Sequence, residues 1–395
     1  MTPPAGASIP VRVTLVETIQ LRLTPRQDYR WAGLQVGLGT FVIVRVRSDQ
    51  GLVGYGETVP LIDWGGDYAR YAGESAATVQ HVIQAYLAPA TVGRDVAELA
   101  VLVREWDRRV RGHPYAKVAL EIALFDLLGK ARGVPVYELL GGRFRGRVPI
   151  AHMIGLMPVE AAIAEAEGAV AEGVKALQVK GGVDPERDIS VVREVRRAVG
   201  DGIVLRLDAN QGYGTAKPAL RILNCLQDAG VDVVEQPVEG LAEMAKVTRQ
   251  TPGITILADE SAWTPRDALD VVLAGAADGV SVYVAKAGGL TRARMVASIA
   301  EAAGLPCDVN GSIELGIANA ASLHLAAAAP AMNLASVIPV NAPSGTGSTR
   351  VAGRYYADDV VCEPFVYDHG DVLVPSGTGL CIEVDESKLE RYRVE

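Results

Sequence analysis

The stretch L-R-L-D-A-N, residues 205–210, decides the architecture, because its Asp208 belongs to a series of polar residues that close short apolar runs at near-constant intervals. Glu235 closes V-D-V-V-E and Asp259 closes T-I-L-A-D, 27 and 24 residues further on, and Lys180 closes A-L-Q-V-K 28 residues upstream. A strand, a loop, a helix and a return loop occupy about that length in a parallel α/β repeat. Four consecutive strand ends therefore set one lysine and three carboxylates on a common rim.

Working outward, strand-like segments at 149–154, 176–180, 203–209, 232–236, 254–259, 279–284, 305–309 and 334–338 alternate with seven helical stretches, such as 159–172 and 291–303. Eight strands with seven helices read as a parallel barrel that lacks its last helix. Upstream, residues 11–23 and the hairpin at 41–58 are β-branched and alternating, and helical periodicity follows at 75–87, 95–111 and 115–132. The expected organisation is an α+β domain at 1–132, a barrel at 133–345 and a tail at 346–395 that returns to the first domain. Two loops of the first domain, 24–37 with Arg26, Tyr29, Arg30 and Trp31, and 59–73 with Asp63, Trp64 and Tyr68, are polar and aromatic.

Composition narrows the function classes. The 395 residues are 49% apolar and carry a net charge of −9 without basic runs, which argues for buried cores and against nucleic acid. There is no apolar run of membrane-spanning length and no signal-peptide layout, so a soluble cytoplasmic protein without a membrane partner is expected. Four dispersed cysteines without a C-x-x-C pair fit reduced thiols.

Strand parity places Arg206, Asp208 and Asn210 on one face, Gln178 with Lys180, and Val233 with Glu235. Three converging carboxylates repel one another unless a cation holds them, and an all-oxygen set suits a hard ion such as Mg²⁺, with Mn²⁺ as an alternative. Next to such an ion and partly buried, Lys180 is expected to have a lowered pKa and to serve as the proton-transfer group. The ion would stabilise the enediolate that forms when a small carboxylate loses its α-proton.

The stretches D-A-N-Q-G-Y at Asp208, V-E-Q-P at Glu235, A-D-E-S at Asp259, A-G-G-L at Ala287 and S-I-E-L-G at Ser312 resemble the enolase superfamily, and in particular its muconate lactonizing enzyme subgroup within the mandelate racemase/muconate lactonizing enzyme family. The likeness runs over nearly the whole chain. It implies an α/β fold, a (β/α)7β modified TIM barrel with an α+β capping domain, and Mg²⁺ on Asp208, Glu235 and Asp259. It also implies Gln178, Asn210, Glu260 and Lys286 as supporting residues behind that set, and Glu314 beside the substrate. Tyr29, Trp31, Asp63 and Trp64 would select the substrate, and a homo-oligomer, dimer or octamer, is implied too.

Two departures bear on the reaction. The subgroup's Lys-x-Lys reads Gln178-Val179-Lys180 here, and its second catalytic lysine position, five residues before Gly288, holds Tyr283. Lys286 lies on the other parity and would have to reach in from the loop. No His falls between His152 and His324, and both of those read as packing residues. Racemisation needs two groups on opposite faces, whereas cycloisomerisation or β-elimination runs with one base. The leading expectation is one-base chemistry through Lys180. The alternatives are an amino-acid or dipeptide epimerase using Lys180 and Tyr283, and an impaired relative that only binds a carboxylate.

Overall fold

In the computed structural model, which describes residues 10–35, 37–311, 313–345 and 350–394, the chain opens with an antiparallel sheet. Its strands are β1 (Val13–Arg22), β2 (Thr40–Ser48) and β3 (Val53–Thr58), in that spatial order. The helix Pro114–Arg132 crosses β3 and is buried on every side from Pro114 to Gly129, because the sheet covers one face and the barrel the other. A Cβ on Gly56 would stand 1.9 Å from the Ala119 carbonyl oxygen, so only glycine permits this approach. The helix expected at 75–87 is α-helical over Ala76–Val82 and then widens to π-helical turns over Ile83–Leu87.

After the short strand β4 (Arg147–Pro149) come seven parallel strands. They are β5 (Ala151–Ile154), β6 (Ala176–Lys180), β7 (Val204–Asp208), β8 (Val233–Glu235), β9 (Thr255–Ala258), β10 (Gly279–Tyr283) and β11 (Cys307–Asn310), each beside the next in sequence. The intervening helices start where the sequence supplies caps. Asp184 accepts from Glu186 N and Arg187 N ahead of Pro185–Val199, and Thr264 and Asp267 form a reciprocal capping box at Pro265–Ala274.

The expected eighth strand at 334–338 is not a regular strand. Instead Ser336 bridges β5, with Ala151 N donating to Ser336 O and Ser336 N to Pro149 O, while Leu334 N donates to Cys307 O beside β11. This segment closes the barrel by serving both edges in turn, so the fold is the modified TIM barrel with separate antiparallel sheets outside it.

The tail divides its contacts. Its hairpin, β12 (Tyr367–Asp368) and β13 (Asp371–Leu373), pairs with β4 below the barrel. Other parts reach the first sheet: Tyr356 packs edge-on against Phe41 of β2, and at the end Val394 N donates to Gln20 O while Arg22 N donates to Tyr392 O.

Candidate active site

Register sets the site. In the barrel sheet Lys180 pairs with Asp208 and Asp208 with Glu235, so these three occupy one layer of the interior. Glu235 pairs with Leu257, which puts Asp259 on the same face one layer higher, beyond the end of β9. Ser281 pairs with Asp308 and Tyr283 with Asn310, so Tyr283 also points inward.

All of these side chains are buried, and three cations meet the carboxylates. Lys180 Nζ donates to Asp208 Oδ2 at 2.5 Å and to Asn210 Oδ1 at 3.3 Å. Lys286, on the single helical turn Val284–Ala287, reaches back to Asp259 Oδ1 at 2.5 Å, Asp259 O at 2.7 Å and Ser281 O at 2.9 Å. Arg206, one layer below, donates to Glu235 Oε2 at 3.1 Å, to Asp308 Oδ2 and to Ala335 O. Gln178 Nε2 stands 3.5 Å from Asp208 Oδ2.

A hard divalent cation fits this donor set. Glu235 Oε1 and Asp259 Oδ2 are buried and accept no hydrogen bond, and the charged groups around them are the other carboxylates with Lys180, Lys286 and Arg206. Burial, then Asp208 and Asp259, pushes the Glu235 carboxyl well above the usual carboxylate range, and burial raises Asp259 too. Such a cluster calls for added positive charge. Among the described residues no three acidic, His or Cys side chains form a ready-made metal cluster, and Lys180 and Lys286 each hold one carboxylate.

For Lys180 the sequence argument points to a lowered pKa beside a bound cation; in the chain alone the balance runs the other way. Burial works to lower it, but Asp208, Glu235 and Asp259 together raise it above the ordinary lysine value. At Tyr283 burial, with Asp259 and Glu235 adding to it, holds the phenol well above its usual range.

Lys180, Asn210, Asp259 and Tyr283 line one cavity of about 30 Å³, closed by Trp31 and Trp64 from the two cap loops and by Leu61, Met153 and Ile313. Lys180 Nζ lies 5.4 Å from the Trp31 ring, and the Nζ of the buried Lys286 lies 4.8 Å from the Tyr283 ring. Glu260 ties cap to barrel, accepting from Asn210 Nδ2 at 2.9 Å and Trp64 Nε1 at 3.4 Å.

The remaining expected residues are placed less centrally. Glu314 is buried just past Ile313 and against Gly311, where a Cβ would meet its carboxylate at 1.9 Å. Tyr29 does not line the cavity; it packs edge-on against Tyr355 and donates to Arg354 O. Asp63 accepts from Gln35 N at 2.6 Å, linking the two cap loops, and Tyr68 is 67% exposed. Ser312 lies outside the described residues. His152 faces the helix layer, between Glu165 Oε1 and Gly353 N, and His324 bonds Leu380 O, so both are packing residues.

Three residues escape the spacing argument. Asp308 shares Arg206 with Glu235, and its signal was a lone acid inside C-D-V-N. Gln236 accepts from Asp259 N and Ser261 N and donates to Val238 O, holding the β8 and β9 loops together. Asp67 accepts from Ser261 Oγ and Gly240 N and so pins the second cap loop to the barrel mouth. Asn210, Gln236 and Ile313 all have left-handed φ, of 40°, 38° and 61°, at strand ends around the mouth, the strain expected of over-determined site loops.

Known proteins share this arrangement. Residues 161–388 match the enolase C-terminal domain-like family, and residues 16–141 match the mandelate racemase / muconate lactonizing enzyme N-terminal domain. The chain is 33% identical to muconate cycloisomerase 1 of Rhodococcus opacus over 96% of this chain and 98% of that protein. It is 33% identical to the L-Ala-D/L-Glu epimerase of Bacillus subtilis over 80% of this chain and 85% of the epimerase. The crystal structure of 2-chloromuconate cycloisomerase from Rhodococcus opacus 1CP superposes with a TM-score of 0.88 at 31% identity, covering 97% of this chain and 100% of that one. The chain is therefore an enzyme of the enolase superfamily, in its muconate lactonizing enzyme subgroup.

Proposed function

We propose that this enzyme removes the proton α to the carboxylate of a small acid, with Lys180 as base and a divalent cation, Mg²⁺ or Mn²⁺, held by Asp208, Glu235 and Asp259. The observation that carries the reading is the single cavity into which Lys180, Asp259 and Tyr283 all open beneath Trp31 and Trp64. Bound among these carboxylates, the cation supplies Lewis-acid stabilisation for the charge developing on the substrate carboxylate and offsets the negative charge that keeps Lys180 protonated.

The chain's own groups do the rest. Asn210 Oδ1 and Asp208 Oδ2 fix the Lys180 ammonium at the cavity wall, so its nitrogen addresses one face of a substrate. Glu260 and Asp67 hold the second cap loop down, and Trp31 and Trp64 keep water from the reacting carbon. Tyr283, whose phenol burial holds protonated, is placed to donate a hydrogen bond to a bound substrate.

That asymmetry favours one-base reactions, cycloisomerisation or β-elimination, over epimerisation. The epimerase reading keeps a place because Tyr283 does face the cavity from β10 and a relative of that activity covers most of the chain.

The test is exchange in deuterated buffer with Mg²⁺ across a panel of carboxylic acids. The wild type should wash deuterium into the α-position, and Lys180→Ala should lose exchange by about 10²–10⁴-fold. Tyr283→Phe should keep most exchange under the one-base reading and lose epimerisation under the other. Full turnover by Lys180→Ala would sink the mechanism, and no exchange in the wild type would leave a carboxylate-binding protein.

A further inference from the structure

We propose that a small aromatic dianion, an aryl phosphate or an aryl dicarboxylate, binds in a second cavity on the seam between cap and barrel, outside the barrel mouth. This site is independent of the chemistry proposed for Lys180.

The cavity has a volume of about 280 Å³, close to the roughly 300 Å³ at which small-molecule sites begin. Its walls come from both domains. Asp107, Arg111 and Lys117 belong to the cap, and Trp263, Lys286 and Arg292 to the barrel. Arg111 and Gly112 on its wall are exposed, so solvent reaches it as it stands.

Four cations and one acid line this space. Lys286 is fully engaged, since its three N–H groups meet Asp259 Oδ1, Asp259 O and Ser281 O. The acid, Asp107, takes Lys117 Nζ on Oδ1 at 2.8 Å and Arg292 Nη2 on Oδ2. Positive charge is left over. Lys117 is buried, and its other bond, of 2.9 Å, goes to the neutral Val110 O. Arg292 Nη1, beside Gly288, has no partner among the described residues, and neither has Arg111. Burial, with Arg292 adding to it, outweighs Asp107 and lowers Lys117 below the ordinary lysine value, as expected of a cluster short of negative charge. The next carboxyls, Glu74 toward Lys117 and Glu121 toward Arg292, are pushed up to about 7 by burial and offset only part of the excess. Arg111, Lys117 and Arg292 against Asp107 leave two charges, the complement of a doubly charged oxyanion.

The opposite wall suits a ring. Tyr71 and Trp263 are stacked, with centroids 4.9 Å apart and planes at 17°, and the buried Trp263 Nε1 has no hydrogen-bond partner. Trp263 also packs at 4.9 Å on Trp64, which closes the active cavity, so an occupant of the second cavity is sensed by both indoles.

The test uses phenyl phosphate, phthalate and benzoate, titrated into the full-length protein in EDTA at neutral pH. Binding is read from tryptophan fluorescence, since Trp64 and Trp263 are two of only four tryptophans. At least one of the two dianions should bind about tenfold more tightly than benzoate, and the tighter of them tells phosphate from dicarboxylate. Arg292→Gln should weaken that binding about tenfold or more. Arg111→Gln, which removes an exposed and unpaired group and so spares the fold, should weaken it about two- to fivefold. Lys180→Ala, which removes the cation of the active cavity, should leave it unchanged. The bound dianion should also raise the melting temperature, because it binds cap and barrel together.

No saturable change with either dianion, or benzoate binding as tightly as both, overturns the proposal. So does an affinity that falls in Lys180→Ala and persists in both arginine variants, since the anion would then sit at the barrel mouth.

Discussion

Arg206 shows why the carboxylate set can exist before any cation arrives. Its guanidinium lies in the layer below Asp208, serving Glu235 and Asp308 together, and it leaves Glu235 Oε1 free. Arg206→Met should therefore destabilise the fold by about 3–5 kcal/mol, because two buried carboxylates lose their partner. Chemical denaturation measures this, and a double change with Asp308→Asn should recover much of the loss because the two residues are coupled. Titration calorimetry should show weaker Mg²⁺ binding by Arg206→Met. Undiminished stability would mean that water, not Arg206, satisfies these carboxylates. Asp208, Glu235 and Asp259 were legible in the chain because a barrel repeats at fixed spacing. Asp308 and Gln236 were not, since their partners lie in other repeats. Tyr29 was misplaced toward the mouth for the same reason: its aromatic partner, Tyr355, lies in the tail.

At the scale of elements, one helix start joins the cap, the tail and the barrel. Glu57 of β3 accepts from Leu315 N at 2.6 Å and Ala318 N at 3.0 Å, and Asp359 of the tail accepts from Gly316 N at 2.9 Å, all at the head of helix Gly316–Ala328. Burial outweighs these bonds and pushes Glu57 up to about 8 and Asp359 up to about 6. A carboxyl whose folded pKa is raised holds more protons folded than unfolded. Its stabilisation is thus complete below the unfolded value of 4.5 for Glu57 and is lost as pH rises through about 8. The melting temperature should fall between pH 5 and pH 9 by an amount that Glu57→Gln reduces. Equal pH slopes in the two proteins would show that Glu57 does not titrate in that range. The strands that build this frame were readable from apolar runs closed by polar ends. The eighth segment was not, because Ser336 alternates between two edges and has no ladder of its own, and period-two patterning cannot distinguish the two cases.

For the whole molecule, charge and closure combine. The chain carries a net charge of −9, three of its buried carboxylates face one another at the barrel mouth, and the last described residue, Val394, ties the tail back to Gln20. Among the described residues no helix is long and apolar enough to cross a membrane. A cation that binds only the folded chain stabilises all of these units together, by about 2.7 kcal/mol at a hundredfold excess over its Kd. Calorimetric melting in EDTA and in rising Mg²⁺ should show the melting temperature climbing with the logarithm of Mg²⁺ concentration. Glu235→Gln should behave in two opposite ways. Without metal it should melt higher than the wild type, because an uncharged amide escapes the burial cost and the repulsion from Asp208 and Asp259 that together push the Glu235 carboxyl up, and Arg206 keeps Asp308 as partner. With Mg²⁺ it should gain little, because one of the three proposed ligands has lost its charge, and the wild type should overtake it. A wild-type melting temperature indifferent to Mg²⁺, or a Glu235→Gln protein that follows the metal as the wild type does, would take these carboxylates out of the metal site. The crossing of the two curves is the signature of a cluster held ready for a cation at the expense of the fold's own stability.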